Sequence, residues 1–65
     1  MCNFTARIKH ADGWEEVSQV SRVEVIPPGL SLETLFDKPR TLKGYRITLL
    51  DMMQGQIHLE PEEAS

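Results

Sequence analysis

Hydrophobic and polar residues alternate along most of this chain with a period of two, which is the period of a half-buried β-strand. The apolar side of the first segment carries Cys2, Phe4, Ala6 and Ile8. Asp12-Gly13 follows, and this dipeptide favours a tight turn between two extended segments. The pattern therefore predicts an opening β-hairpin whose apolar face begins at Cys2.

Two further extended segments are predicted in the middle of the chain. Residues 14–17 would form the returning strand of the hairpin. Val17 and Val20 lie three positions apart and predict a single helical turn or a tight connection. Residues 22–26 alternate again, and Pro27-Pro28-Gly29 ends them, because proline lacks an amide hydrogen and glycine accepts positive φ.

The second half of the chain predicts three more short strands. Residues 30–36 alternate, with Phe36 on the apolar side. Between residues 40 and 50 the apolar positions change from even to odd near Gly44, which predicts a bulge or a sharp bend. Gln54-Gly55 indicates another turn, and residues 57–59 would form the last strand.

Together these elements predict an all-β protein. No segment keeps a helical period over three turns, and turn signals recur about every eight to twelve residues. We predict a single β domain, 1–60, built as a small antiparallel barrel-like sheet of five or six short strands, and a frayed acidic tail, 61–65. The predicted interior consists of Phe4, Ile8, Val23, Val25, Leu32, Phe36, Ile47, Leu49, Ile57 and Leu59.

Chain length limits how stable this domain can be by itself. A chain of 65 residues buries only about 60% of the surface that it exposes when unfolded. Domains of this size commonly add a disulfide, a metal or a partner subunit. Cys2 is the only cysteine, so an internal disulfide is impossible. Because Cys2 also lies on an apolar face near a chain end, we expect a homodimer.

The net charge of the chain limits the kinds of partner that it is expected to bind. Ten acidic and seven basic residues give a net charge of −3. General nucleic-acid binding needs a basic surface, so nucleic acid is not an expected partner. Four nearby bases are interpreted as a solvated loop face: Lys38, Arg40, Lys43 and Arg46. The N-terminus lacks a basic region followed by an apolar stretch, so we expect no signal peptide. No apolar run approaches the ~20 residues that span a bilayer, so we expect a cytoplasmic protein without membrane contact.

Cys2 is the strongest candidate for chemistry. Removal of Met1 would leave it with a free α-amine, a backbone amide and a thiolate within chelating reach. A nitrogen-rich tetragonal set with a soft thiolate suits nickel(II) or copper(II). The amide nitrogen of Asn3 is a further candidate donor, whereas retention of Met1 would move the α-amine one residue away. The alternative interpretation is a small buried hydrophobe at the start of a strand.

Other candidate residues are weaker. His10 and His58 are interpreted as solvated surface histidines, because one cysteine and two distant histidines do not supply a zinc site. Met52-Met53 is interpreted as core filling or as a dimer contact. Trp14 would be a partly buried aromatic covering one side of the sheet. We expect no enzyme activity, since a cysteine nucleophile needs a histidine base within reach.

Several motifs in order along the chain resemble a known family. They are Met1-Cys2, Asp12-Gly13, residues 20–26, Leu35-Phe36-Asp37, Gly44 before Ile47, and Leu50-Asp51 before Gly55 and Ile57. The chain is similar to the small CooT-like nickel-binding proteins, a family that also carries the label of predicted RNA-binding proteins. Leu35-Phe36 is interpreted as a core pair, and Asp37 and Asp51 as turn or strand-end caps. Trp14 and the Met52-Met53 pair depart from the family pattern.

The resemblance implies a function. It implies a β-domain homodimer that binds nickel(II), with Cys2 as the key ligand. The founding member serves the maturation of carbon monoxide dehydrogenase, so a nickel enzyme or its maturation proteins are implied partners. The expected function is a metallochaperone or nickel store. The alternative is an Sm-like small β-barrel that binds RNA or a protein partner, with Cys2 incidental.

Overall fold

The computed structural model describes residues 4–62 of the chain and contains six strands. In chain order they are β1 (Phe4–His10), β2 (Gly13–Ile26), β3 (Gly29–Thr34), β4 (Arg40–Lys43), β5 (Tyr45–Asp51) and β6 (Gln56–Pro61). No helix occurs among these residues. The predictions of an all-β fold and of five or six strands are confirmed.

One curled sheet contains all six strands, in the order β4-β3-β2-β1-β6-β5. Four of its five strand pairs are antiparallel. The fifth, β1 with β6, is parallel, with Ala6 opposite Ile57 and Ile8 opposite Leu59. A wholly antiparallel sheet was therefore a wrong prediction for this pair. Parallel pairing needs a long connection between its strands, and the intervening strands β2 to β5 provide one. The sheet is barrel-like but not strictly closed.

β2 is a single bent strand of 14 residues. Its first half pairs with β1 and its second half with β3, and the register shifts at both pairings near Val20. Gln19 has a φ of 62°, a left-handed conformation that is uncommon outside glycine. The predicted helical turn or tight connection between Val17 and Val20 is therefore wrong, because the strand is continuous and bulges make the bend. The bend brings β3 toward β5.

The turns at Asp12-Gly13, Gly44 and Gln54-Gly55 lie where the sequence predicted them. Gly13, with a φ of 137°, completes the Asp12-Gly13 hairpin, and Gly55, with a φ of 70°, ends the β5–β6 turn. Asp51 caps that turn, since its Oδ1 accepts hydrogen bonds from the Met53 and Gln54 amides at 3.1 and 3.0 Å. Gly44 forms the predicted bend between β4 and β5, with a φ of 73°.

Gly29 is required for a different reason, which is the close approach of β3 and β4. A Cβ at this position would collide with the Leu42 carbonyl, whereas a Cβ at Gly44 would meet nothing within 4 Å. We expect Gly29→Ala to lower the free energy of unfolding by about 3 kcal/mol, because overpacking of a fixed backbone has no cheap relief. Gly44→Ala, where only the positive φ is unfavourable, should cost about 1 kcal/mol. Urea denaturation checks both values, and equal losses would contradict the steric argument.

The core lies on the inner face of the sheet, which is the concave side. Its buried residues are Ala6, Ile8, Val20, Leu30, Leu32, Leu42, Ile57 and Leu59. Four of them, namely Ile8, Leu32, Ile57 and Leu59, were predicted. Phe4 and Val23 are only partly buried against this cluster. The predictions for Val25, Phe36, Ile47 and Leu49 are wrong, because all four are exposed.

The error at Leu49 has a physical cause in the register of β5. The register shifts between Ile47 and Leu49, so that Ile47 lies opposite Leu59 and Leu50 lies opposite Ile57. Ile47 and Leu50 therefore face inward, while Leu49, opposite His58, faces outward. The extra residue of the bulge is Thr48, four residues after the bend at Gly44 where the change of phase was expected.

Leu35 and Phe36 are likewise not the core pair that was predicted. β3 ends at Thr34, and the Asp37 amide donates a hydrogen bond to Thr34 Oγ1 at 3.1 Å. This turn carries both side chains away from the core, with exposed fractions of 54% for Leu35 and 81% for Phe36.

Candidate functional site

The two predicted metal ligands, Cys2 and Asn3, lie outside the described residues. The structure does define the place from which they extend. Phe4 is the first residue of β1 and lies opposite Val20 of β2. The Thr5 amide donates a hydrogen bond of 2.8 Å to the Gly55 carbonyl. The chain therefore enters the sheet beside the bend of β2 and the β5–β6 turn.

An apolar cleft opens at this entry point, with a volume of about 270 Å³. We define the cleft by its apolar lining residues, which are Phe4, Val20, Val23, Ile47, Leu50, Met52 and Ile57. It exists because the sheet does not close between the second half of β2 and β5. Apolar side chains of β5 and of the β5–β6 turn are consequently left uncovered: Leu50 is 55% exposed and Met52 71% exposed.

The uncovered strip continues past Ile47 along β5. A second depression lies there, lined by Val25 and Pro27 on one side and by Tyr45 and Ile47 on the other. Val25 faces Leu30 in the β2–β3 register but is 63% exposed. The two depressions share Ile47, so one apolar strip runs along the open side of the sheet.

Met52 and Met53 occupy the β5–β6 turn instead of a strand. The prediction that they fill the core is wrong within this chain, since Met53 is 96% exposed. Asp51 forms the capped turn that places them there. Only Met52 lines the cleft, where a flexible thioether can adapt to a partner surface.

A cluster of polar side chains, which includes Tyr45, connects β1, β2, β4 and β5. Glu15 of β2 accepts hydrogen bonds from Arg40 of β4 at 2.8 and 2.9 Å. Glu15 also lies 2.7 Å from His10 Nε2, and the Tyr45 hydroxyl donates to the Lys9 carbonyl at 2.8 Å. Arg40 first, and then His10, lower the pKa of Glu15 from 4.5 to about 2. Arg40 is thus part of an ion pair and not of a solvated basic patch.

This ion pair predicts an acid-dependent change in stability. A lowered carboxyl pKa stabilises the fold fully above about pH 4.5, and the stabilisation is lost as the pH falls toward about 2. Because Glu15 and Arg40 are 39% and 42% exposed, we expect Arg40→Gln to cost only about 1 kcal/mol near neutral pH. The difference from the parent should shrink below pH 4.5 in urea denaturation.

Arg22→Gln is the matched control for Arg40→Gln. It removes a single 3.2 Å contact to Glu24 between side chains that are 60% and 52% exposed. We expect almost no loss of stability from this variant. Equal losses for the two variants, or a loss for Arg40→Gln that does not change with pH, would contradict the assigned role of the bidentate pair.

Neither histidine is a freely solvated side chain. His10 contacts Glu15, and Tyr45 lies edge-on to it with ring centroids 6.4 Å apart. His58 is half-buried and lies 5.3 Å from the Trp14 ring centroid. Within residues 4–62 no three His, Cys, Asp or Glu side chains are placed to hold a metal ion.

Sequence reasoning missed the cleft and the Glu15–Arg40 pair. Glu15 and Arg40 are 25 positions apart, and no local pattern relates them. The cleft depends on the Thr48 bulge, for which the sequence offers one signal: Ile47 and Leu50 are apolar three positions apart within an extended segment.

Among residues 4–62 no helix is suited to crossing a membrane.

The fold and the entry point of the chain define a class of small all-β proteins with one curled, incompletely closed sheet. No family description matches the sequence, and no curated protein is significantly similar to it. The crystal structure of the "putative CooT" from Carboxydothermus hydrogenoformans is similar, with a TM-score of 0.76 and 27% identity. The alignment covers 95% of this chain and 100% of that one. This structural similarity confirms the resemblance of the chain to the CooT-like proteins.

Proposed function

We propose that this protein is a nickel(II)-binding accessory protein. Its task would be to deliver or store nickel for the maturation of a nickel enzyme such as carbon monoxide dehydrogenase. The observation that carries the proposal is the similarity to the "putative CooT" over 95% of the chain, combined with a cysteine at position 2. The CooT-like resemblance implies nickel as the cargo and Cys2 as its key ligand.

Donor chemistry supports Cys2 as the ligand. The Cys2 thiolate, its own nitrogen and the Asn3 amide nitrogen together form the soft, nitrogen-rich set that suits nickel(II) in a tetragonal geometry. Cys2 precedes Phe4 by two residues, which spans at most about 8 Å between Cα atoms. We therefore place the nickel site beside the apolar cleft to which Phe4 contributes.

The same location supports a homodimer. The cleft exposes large apolar side chains from β5 and from the β5–β6 turn, and a core of this size is marginal alone. A second copy seated on the cleft around a two-fold axis would cover them on both subunits. It would also bring two copies of Cys2 together, so that two thiolates and two nitrogens form one four-donor site.

No catalytic role is proposed, and we place the protein in the cytoplasm, where an unpaired thiol stays reduced. A nickel titration tests the proposal directly. We expect a thiolate-to-nickel charge-transfer band in the near ultraviolet that saturates at one nickel per two chains. Binding should release protons, since the thiol must ionise from a pKa of about 8.5. The absence of the band would exclude thiolate ligation.

A further inference from the structure

The outer face of the sheet carries an aromatic side chain next to two cations. Lys9 lies opposite Trp14, and Arg7 lies opposite His58. Arg7 and Lys9 alternate with the buried Ala6 and Ile8, so their side chains point outward. We call Arg7, Lys9, Trp14 and His58 the Trp14 patch.

The contacts within the Trp14 patch are close. Arg7 Cζ lies 5.8 Å and Lys9 Nζ 5.6 Å from the centroid of the Trp14 ring, which is within cation–π range. The His58 ring lies 5.3 Å from the same ring at an angle of 51°. Trp14 nevertheless stays 42% exposed. The indole is therefore held in place by its neighbours and remains accessible to a ligand.

The positive charge of the patch is not neutralised within the described chain. The ion pairs among residues 4–62 are His10–Glu15, Arg22–Glu24 and Arg40–Glu15, and none of them involves Arg7 or Lys9. Glu16 lies opposite Arg7 on the same face but makes no ion pair with it. The patch thus offers two cations without a carboxylate partner, although the whole chain has a net charge of −3.

We propose that the Trp14 patch binds an unpaired nucleotide, with the base stacked on Trp14 and its phosphate contacted by Arg7 and Lys9. Sheet-borne aromatics flanked by cations are a common way to bind unstacked bases. An acidic protein surface would satisfy the two cations but leave the exposed indole without a stacking partner. The net charge argues against a general nucleic-acid-binding protein, whereas the Trp14 patch would contact only one or two phosphates.

Trp14 is the only tryptophan, so its fluorescence reports directly on the patch. We expect short oligouridylate to quench the full-length protein saturably. Uridine monophosphate shows whether the ligand is a free nucleotide or part of a strand. If it binds as tightly as oligouridylate, the patch binds free nucleotides; if it binds more weakly, the patch binds a single strand. Heparin and polyglutamate carry charge without bases and should quench far less. Failure of both nucleotide probes, or equal quenching by polyglutamate, would overturn the proposal.

Variants test the assigned contacts through the anisotropy of a labelled oligouridylate. Trp14→Leu should weaken binding about tenfold or more, and Trp14→Phe should restore most of the loss, because stacking needs an aromatic face. Arg7→Gln and Lys9→Gln should each reduce the salt dependence of log K by about 0.7. Lys43→Gln, which removes the same charge from β4, is the control, and circular dichroism verifies folding. An effect of Lys43→Gln equal to that of Arg7→Gln would refute a defined site.

Discussion

Replacing Cys2 with serine should abolish tight nickel(II) binding while leaving the fold intact. Serine keeps the shape of the side chain but does not supply a soft anion. Loss of a residue that merely supports a metal ligand costs about 10- to 100-fold in affinity, so loss of the thiolate itself should cost at least about 100-fold. Isothermal calorimetry and the charge-transfer band measure the effect, and circular dichroism should remain unchanged.

The two histidines provide the controls for Cys2→Ser. The His10 side chain already contacts Glu15 through Nε2, and the His58 ring packs near Trp14 on the outer face. We therefore expect His10→Ala and His58→Ala to bind nickel as the parent does. Parent-like binding by Cys2→Ser, together with a loss in either histidine variant, would show that the site lies elsewhere. Parental binding should also weaken in acid, because protons compete for the thiolate.

The second large effect concerns assembly. Leu50→Arg should convert the proposed homodimer into a monomer of 7.4 kDa, because it places a charge in the middle of the apolar cleft. Leu50 is already 55% exposed in the single chain, so arginine can reach solvent in the monomer without unfolding it. In a dimer the same charge would be buried without a partner, which costs several kcal/mol, about 3 or more. Light scattering at micromolar concentration measures the mass.

Leu49→Arg is the matched control for this experiment. It introduces the same charge one residue away, at a side chain that is 45% exposed but faces outward opposite His58. We expect Leu49→Arg to remain dimeric. A monomeric parent protein, or dissociation by Leu49→Arg instead of Leu50→Arg, would exclude the cleft as the dimer interface. Nickel affinity should fall in Leu50→Arg as well, if two copies of Cys2 share one ion.

The local features of the chain could be predicted because local chemistry determines them. Alternation gave the first strand and its buried Ile8, and glycine conformations fixed the turns at Asp12-Gly13 and Gln54-Gly55. The second half of β2, after residue 21, was predicted as a strand because its apolar and polar residues alternate with the same period of two. The resemblance to the CooT-like proteins also came from short motifs in order along the chain, and the structural similarity confirms it.

Tertiary structure alone decided which apolar residues are covered. The bulges at Gln19 and Thr48 depend on which strand lies alongside, and the bulge at Thr48 turns Leu50 inward and Leu49 outward. The parallel β1–β6 pair and the Glu15–Arg40 contact join segments far apart in sequence, so no local pattern encodes them. The sequence by itself determined the strands, the turns and the thiol at position 2. The gap that leaves the cleft open arises only when the six strands curl into a sheet whose edges do not meet.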